Sequence, residues 1–208
     1  MKSARAAAAI AAVLLLCVTS AAAACTRTEV SGANARIEPS QGINAALVDA
    51  AILSEMNYQR CRIGASPLTR NAGLRATAAK YSSWMAKTMT VSHRSSAPGQ
   101  STLRARMSTS GVSFSVGAEN LAMVHRFRVE GVSVRKTGGC NFVRSNGKAV
   151  GAHSYATLAR YVVDLWMASP SHRRNVLARD VSMVGSAASF NGNAPYCGQF
   201  YIAQNYAG

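Results

Sequence analysis

The chain has 208 residues, with 23 Lys and Arg against 8 Asp and Glu, which gives a formal net charge of +15 at pH 7. This length predicts one domain, and the charge favours anionic partners such as envelope polymers or lipid head groups. Nucleic acid is disfavoured, because the arginines are scattered and no stacking aromatic residues accompany them.

Residues 1–24 predict a cleaved signal peptide. Lys2 and Arg5 precede an apolar run at residues 6–18, and small residues at 22–24 fit an A-x-A cleavage position. The run is too short and too rich in alanine for a membrane anchor, which needs roughly 20 apolar residues. No second hydrophobic segment follows. We therefore expect a secreted or periplasmic protein with no transmembrane segment after signal cleavage.

Four cysteines remain after signal cleavage: Cys25, Cys61, Cys140 and Cys197. In an oxidising compartment they predict two disulfides, and the sequence does not rank the three pairings. An alternative is a lipoprotein anchored at Cys25, which would leave one other cysteine free. That alternative has weak support, because Ala22 stands where a lipoprotein signal usually has leucine.

Residues 25–42 are polar and contain glycine and proline, which predicts a flexible lead-in to a domain at residues 43–208. From Asn44 the apolar residues recur at intervals of three and four, as in an amphipathic helix. Asn44 is a suitable N-cap, and Gly64 and Pro67 end the pattern.

A second helix is predicted from Asn71 to about Thr90, with His93 just beyond it. Residues 102–110 predict a short helix. Residues 126–150 contain strand-like alternation and the turn sequence SNGK at 145–148, so they predict a β insertion.

A third helix is predicted over residues 154–168, where Pro170 stops it, and SHRRNVLA begins another short helix. The segments VSMVGSAASF and GQFYIAQNY predict a closing antiparallel pair of strands. Helices followed by mixed elements and closing strands indicate an α+β or three-layer α-β-α fold.

Three polar residues stand at the ends of elements: His93, Glu119 and His172. No G-x-S-x-G, H-E-x-x-H, phosphate loop or dinucleotide fingerprint accompanies them. Imidazole and carboxylate groups can bind a divalent metal, and three such ligands leave one position open. Without a metal, Glu119 could fix the tautomer of a histidine. The long separations leave open the alternative of three unrelated polar residues. His125 and His153 are predicted to be surface residues.

The order of several motifs resembles the CAP superfamily, which comprises cysteine-rich secretory, antigen 5 and pathogenesis-related proteins and is also described as SCP-like. The resemblance is to the bacterial exported type and covers roughly residues 45–206. The motifs are LSEMNYQRCRIGASPLTRNAGLRATAAKYSSWMA, VSHRS, GAENLA, LWMASPSHRRNVL and FYIAQNYA.

This resemblance implies a three-layer α-β-α sandwich with a central antiparallel sheet and a cleft lined by a His/Glu/His/Glu tetrad. His93, Glu119 and His172 fall on three tetrad positions, whereas Ser169 stands where the second glutamate would be. Residues 126–150 would be an insertion, which Cys140 is expected to tether. Arg106 is expected to anchor a loop rather than to contact a ligand.

The expected function is a binding module for an anionic envelope polymer, a lipid or a partner protein. The cleft that binds it would contain His93, Glu119, His172 and Ser169. The alternative is a hydrolase of esters or peptides, in which a zinc or calcium ion on His93, Glu119 and His172 activates water. In that case Glu119, His172 and Ser169 would be catalytic, although Ser169 also fits a helix cap. The ligand and the oligomeric state are not determined by the sequence.

Overall fold

The computed structural model describes residues 24–208, so the predicted signal peptide lies outside the described residues except for Ala24. The helices are α1 Ala45–Cys61, α2 Ala72–Thr88, α3 Leu103–Met107, α4 Tyr155–Ala168 and α5 Pro170–Leu177. The strands are β1 Thr69–Arg70, β2 Gly117–His125, β3 Val134–Gly138, β4 Asn141–Arg144, β5 Met183–Asn191 and β6 Gln199–Ala207. None of the helices within residues 24–208 is long and apolar enough to cross a membrane.

Side-chain caps define where the long helices begin. Asn44 and Asn71 accept hydrogen bonds from backbone amides three residues on, as predicted for α1 and α2. Ser154 caps α4, where Thr157 completes a reciprocal capping box. Each such cap contributes about 1 kcal/mol and satisfies an amide that the helix leaves free.

A four-stranded sheet in the order β1-β5-β6-β2 forms the middle layer. The long strands β2, β6 and β5 pair antiparallel, so that Glu119 lies opposite Asn205 and Asn205 opposite Gly185. The two-residue β1 adds to β5 in parallel, which makes the sheet mixed. β2 forms one edge of this sheet.

Helices cover both faces of the sheet, which confirms the predicted three-layer sandwich. Helix α2 packs on β5 and β6 from one side, while α1, α4 and α5 pack on the other side. All nine residues of β6 are buried, because this central strand is covered on both faces.

Gly185 of β5 lies at a close approach between the sheet and α2. A Cβ atom at this position would lie 2.1 Å from the Arg75 amide nitrogen and 2.5 Å from the Leu74 carbonyl carbon. Since both neighbours are backbone atoms, the first turn of α2 requires a glycine here.

Two disulfides join distant segments, Cys25–Cys61 and Cys140–Cys197. The first ties residue 25 to the end of α1, and Ile37, within the predicted lead-in, is fully buried. The Cys25 thiol that lipid attachment would use is thus engaged in a disulfide, which argues against the lipoprotein alternative.

Strands β3 and β4 form a hairpin within residues 126–150. The β3–β4 hairpin reverses at Gly139 and Cys140, and Gly139 has a positive φ. SNGK forms a second reversal, in which the Gly147 amide donates to the Arg144 carbonyl and Val143 pairs antiparallel with Ala149. The disulfide Cys140–Cys197 links the tip of the hairpin to the segment before β6.

Candidate functional site

Glu119 is a buried acid on β2, with its side chain 1% exposed. Successive residues of a strand point to opposite faces, so the side chains of Glu119 and Asn120 lie on opposite faces of the sheet. Near Glu119 lie Arg106 of α3 and His93, which follows α2. Asn120 instead contacts α5 and Tyr206.

Arg106 is the counter-ion of Glu119. Its Nη2 donates to Oε1 and Oε2 of Glu119, each at 2.6 Å, and its Nε donates to Oε2 at 3.1 Å. The Arg106 guanidinium also lies 3.6 Å from the ring centroid of Tyr81. It donates to the backbone carbonyls of Gln100 and His93, so it anchors the loop that carries His93, as expected.

His93 is held on one side and exposed on the other. Its Nδ1 lies 2.8 Å from Glu119 Oε1, while 58% of its side chain is exposed. A second contact fixes the loop, because the Tyr81 hydroxyl donates to the Ser92 carbonyl. Since the carboxylate accepts, Nδ1 of the neutral ring carries the hydrogen and Nε2 is left as an acceptor.

His172 lies in the first turn of α5 and is partly buried. Its backbone carbonyl accepts from Asn120 Nδ2 at 3.2 Å, and Asn175 Nδ2 donates to Asn120 Oδ1 at 2.9 Å. These bonds fix α5 to β2. Burial, and secondarily electrostatic repulsion from His93, lower the pKa of His172.

Ser169 joins the end of α4 to the start of α5. Its amide donates to the Trp166 carbonyl, and its carbonyl accepts from the Arg173 amide. Its hydroxyl lies 3.2 Å from the Ser171 hydroxyl. Among residues 24–208 the hydrogen bonds of Ser169 thus include no imidazole that could act as its base.

The three predicted metal ligands do not form a metal site in this arrangement. Within the described part of the chain, no three His, Cys, Asp or Glu side chains are grouped closely enough to hold an ion. Both oxygens of Glu119 already accept from the Arg106 guanidinium. A cation at this carboxylate would lie beside a fixed positive charge, so the donor set does not fit a metal there.

Two residues have roles that the sequence analysis missed. Arg106 was expected to hold a loop, but not to be the partner of Glu119. The buried acid in a basic chain was the signal that such a counter-ion was needed. His153 was predicted at the surface, and this prediction is wrong, because the residue is 2% exposed just before α4.

Residues 53–206 match the model of the cysteine-rich secretory protein family, CAP. No curated protein sequence matches the chain. An extracellular SCP-domain protein from Bacillus anthracis is similar, with 19% identity and a TM-score of 0.53. That alignment covers 83% of this chain and 44% of the Bacillus protein.

Two further solved structures are similar at lower scores. A cysteine-rich secretory protein from Staphylococcus aureus has 14% identity and a TM-score of 0.49, over 80% of this chain and 41% of that one. An outer surface protein from Borrelia burgdorferi has 17% identity and a TM-score of 0.49, over 75% of this chain and 89% of that one. The chain thus spans less than half of the Bacillus and Staphylococcus proteins.

Proposed function

The chain belongs to the cysteine-rich secretory protein (CAP) family, and on that premise we propose that it is an exported binding module. Its ligand is an anionic component of the cell envelope, held at the cleft between His93 and His172. The observation that carries the proposal is the buried Arg106–Glu119 pair, which fixes His93 at the cleft while occupying the carboxylate.

Export is supported by three features. The first 24 residues have the pattern of a signal peptide. The chain has the two disulfides Cys25–Cys61 and Cys140–Cys197, and such bonds persist in oxidising compartments. The similar Bacillus anthracis protein is described as extracellular.

Anion binding is supported by His93 and by the arginines of α5. His93 has an exposed ring edge, and α5 carries Arg173 and Arg174 directly after His172. These two arginines, with Pro170 and Leu177, line a pocket of about 380 Å³. Arg173 Nη1 donates to the Met167 carbonyl, which fixes its position. Guanidinium groups suit carboxylate or phosphate oxygens.

The alternative, a metal-assisted hydrolase, has less support. Glu119 would have to leave Arg106 to bind an ion or to act as a base. Ser169 would need a histidine partner, but its hydroxyl pairs with Ser171. The binding module requires neither rearrangement.

Retention on an anionic polymer tests the proposal. The purified protein is passed over immobilised polygalacturonate, with dextran as the uncharged polymer. We expect retention on the first only, weakening as salt rises. The double variant His93→Gln/His172→Gln should bind at least about threefold more weakly. Lys87→Gln, which removes an exposed charge on α2, is the matched control and should bind like the wild type.

Hydrolysis and metal uptake provide the opposing test. Zinc and calcium are titrated into the wild type and His172→Ala, and ester and peptide substrates are assayed in parallel. Stoichiometric zinc uptake that His172→Ala abolishes would contradict the binding module. So would a hydrolytic activity lost in both His172→Ala and Glu119→Gln.

A further inference from the structure

A second pocket lies away from the cleft, between the β3–β4 hairpin region and α4. Its volume is about 340 Å³, within the range of small-ligand sites. Helix α4 contributes Thr157, Arg160, Tyr161 and Asp164, which at spacings of three, four and seven share one helix face. We name it the hairpin pocket.

Two guanidinium groups in the hairpin pocket have no counter-ion. Arg128 and Arg144 both line it, and neither takes part in any ion pair among residues 24–208. The third arginine, Arg160, is partly neutralised, because its Nε lies 3.4 Å from Glu55 Oε1. The pocket therefore presents two unneutralised cationic groups on its hairpin side.

The backbone leaves room for one of these arginines at Gly151. Nη2 of Arg128 lies only 3.0 Å from the position that a Cβ atom would have at Gly151. The absence of a side chain at Gly151 thus lets the guanidinium rest against the backbone beside the pocket. Gly151 has no left-handed φ, so alanine would strain the backbone little and would act through Arg128.

A buried imidazole on the pocket wall lacks a partner. His153 is 2% exposed, its Nδ1 lies 3.2 Å from Thr157 Oγ1, and its Nε2 has no hydrogen-bond partner in the described region. A buried polar nitrogen without a partner costs free energy, which a ligand could recover. The Tyr161 ring lies beside it, with 5.9 Å between the ring centroids.

Acidic groups add hydrogen-bond acceptors to the same pocket. Asp164 lines it and forms no ion pair within residues 24–208, while Glu130 is engaged by the amide and Nδ1 of His125. A purely anionic ligand would be repelled by Asp164. Hydroxyl groups can donate to a carboxylate, so a ligand with both kinds of group fits better.

We propose that the hairpin pocket binds a small polyhydroxylated ligand bearing one oxyanion group, such as a phosphorylated polyol or a uronic acid. Arg128 and Arg144 bind the oxyanion, and Asp164 and Tyr161 hydrogen-bond the hydroxyl groups. The site is independent of the cleft. Helix α4 has 14 residues and is therefore about 20 Å long, with His153 preceding its start and His172 following its end.

Calorimetric titration of the purified full chain tests this assignment. The probes are inorganic phosphate, sn-glycerol 3-phosphate, glucuronate and uncharged glycerol. We expect saturable binding of glycerol 3-phosphate or glucuronate below about 1 mM, weaker binding of phosphate and none of glycerol. The phosphate and carboxylate probes distinguish the two sources of the oxyanion.

Variants locate the binding to the hairpin pocket. Arg128→Gln/Arg144→Gln should lower the affinity at least about tenfold, since charge-assisted hydrogen bonds are the strong ones. Tyr161→Phe removes only a hydroxyl and should cost about two- to tenfold. Gly151→Ala should weaken binding through Arg128. Arg104→Gln removes one exposed charge on α3; it is the control for each single arginine and should change nothing.

Three results would overturn the proposal. The first is no saturable binding of any oxyanion probe by a folded protein. The second is a loss of affinity in Arg104→Gln equal to that in the pocket variants, which would indicate nonspecific charge attraction. The third is that glycerol 3-phosphate and glucuronate bind no more tightly than phosphate. This would show that the pocket does not recognise the hydroxyl groups of a polyol. His93→Gln/His172→Gln should leave this titration unchanged, so failure of the cleft proposal is separately visible.

Discussion

The Arg106–Glu119 pair allows a quantitative test of how the cleft is built. The change is Arg106→Met, which keeps an apolar stem against Tyr81 but removes the guanidinium. It leaves the Glu119 carboxylate buried with only His93 as a partner. The carbonyls of Gln100 and His93 also lose a donor.

The expected loss is about 3–5 kcal/mol in the free energy of unfolding, because removing one partner of a buried pair leaves an uncompensated charge. Both side chains of the pair are 1% exposed, so little solvent screening reduces this value. For a domain of this size the midpoint of thermal unfolding should fall by about 6–20 °C.

Urea and thermal unfolding with the disulfides intact, followed by circular dichroism, provide the measurement. The double variant Arg106→Met/Glu119→Leu completes a cycle in which neither charge remains. It should be at least about 2 kcal/mol more stable than the sum of the two single effects predicts. Arg104→Met on the exposed side of α3 is the control and should change stability by less than about 0.5 kcal/mol.

Two outcomes would refute this account of the cleft. One is a cost below about 1 kcal/mol for Arg106→Met, which would mean that the carboxylate is solvated or paired elsewhere. The other is a double variant whose loss of unfolding free energy equals the sum of the two single losses, which would mean that the two side chains do not interact. Either result would return Glu119 to the set of groups available for metal or acid–base chemistry.

Three further predictions concern Asp49, His172 and Gly185. Burial raises the pKa of Asp49 to about 6. Between about pH 4 and pH 6 the folded state therefore retains a proton that the unfolded state releases. Stability falls as pH rises through this range. Asp49→Asn should therefore gain up to about 3 kcal/mol at pH 7 and nothing at pH 3.5 in urea unfolding; a gain independent of pH would contradict this. Burial lowers the pKa of His153 to about 4, which makes stability change with pH in the opposite direction. This contribution is the same in the wild type and in Asp49→Asn, so it cancels in their difference. His93→Gln should raise the pKa of His172 part of the way to its ordinary value in an NMR titration, and an unchanged pKa would show that the rings are not neighbours. Gly185→Ala should cost about 2–4 kcal/mol in the same urea assay, because its Cβ would meet the α2 backbone, and a loss below about 1 kcal/mol would refute that contact.

Much of the fold could be predicted because local chemistry determines it. Asn44, Asn71 and Ser154 cap helices whose apolar spacing is regular, so the bounds of α1, α2 and α4 follow closely. The closing strands β5 and β6 alternate clearly enough to identify their pairing. The parallel addition of β1 was not predictable, because a two-residue strand carries no periodic pattern.

The surroundings of Glu119 were only partly predictable, because its partners are brought together by tertiary structure. Motif order indicated His93, Glu119 and His172, and in the structure His93 contacts Glu119. Which group neutralises Glu119 depends on the angle between α3 and β2, which no local pattern specifies. The burial of His153 likewise depends on how the 126–150 region folds back on α4.

The Arg106–Glu119 pair is better explained by what it positions than by the stability it adds. Replacing a buried ion pair by apolar residues of similar volume is often neutral or stabilising, so stability alone does not require this pair. Its geometry, however, connects β2, α3 and the His93 loop: Glu119 holds Nδ1 of His93, while Arg106 holds the His93 carbonyl. An apolar pair could fill the same space, but it could fix neither the tautomer nor the orientation of that imidazole. A carboxylate that orients one exposed histidine is a feature of a preorganised binding site, and this is the strongest reason to look for the ligand at His93.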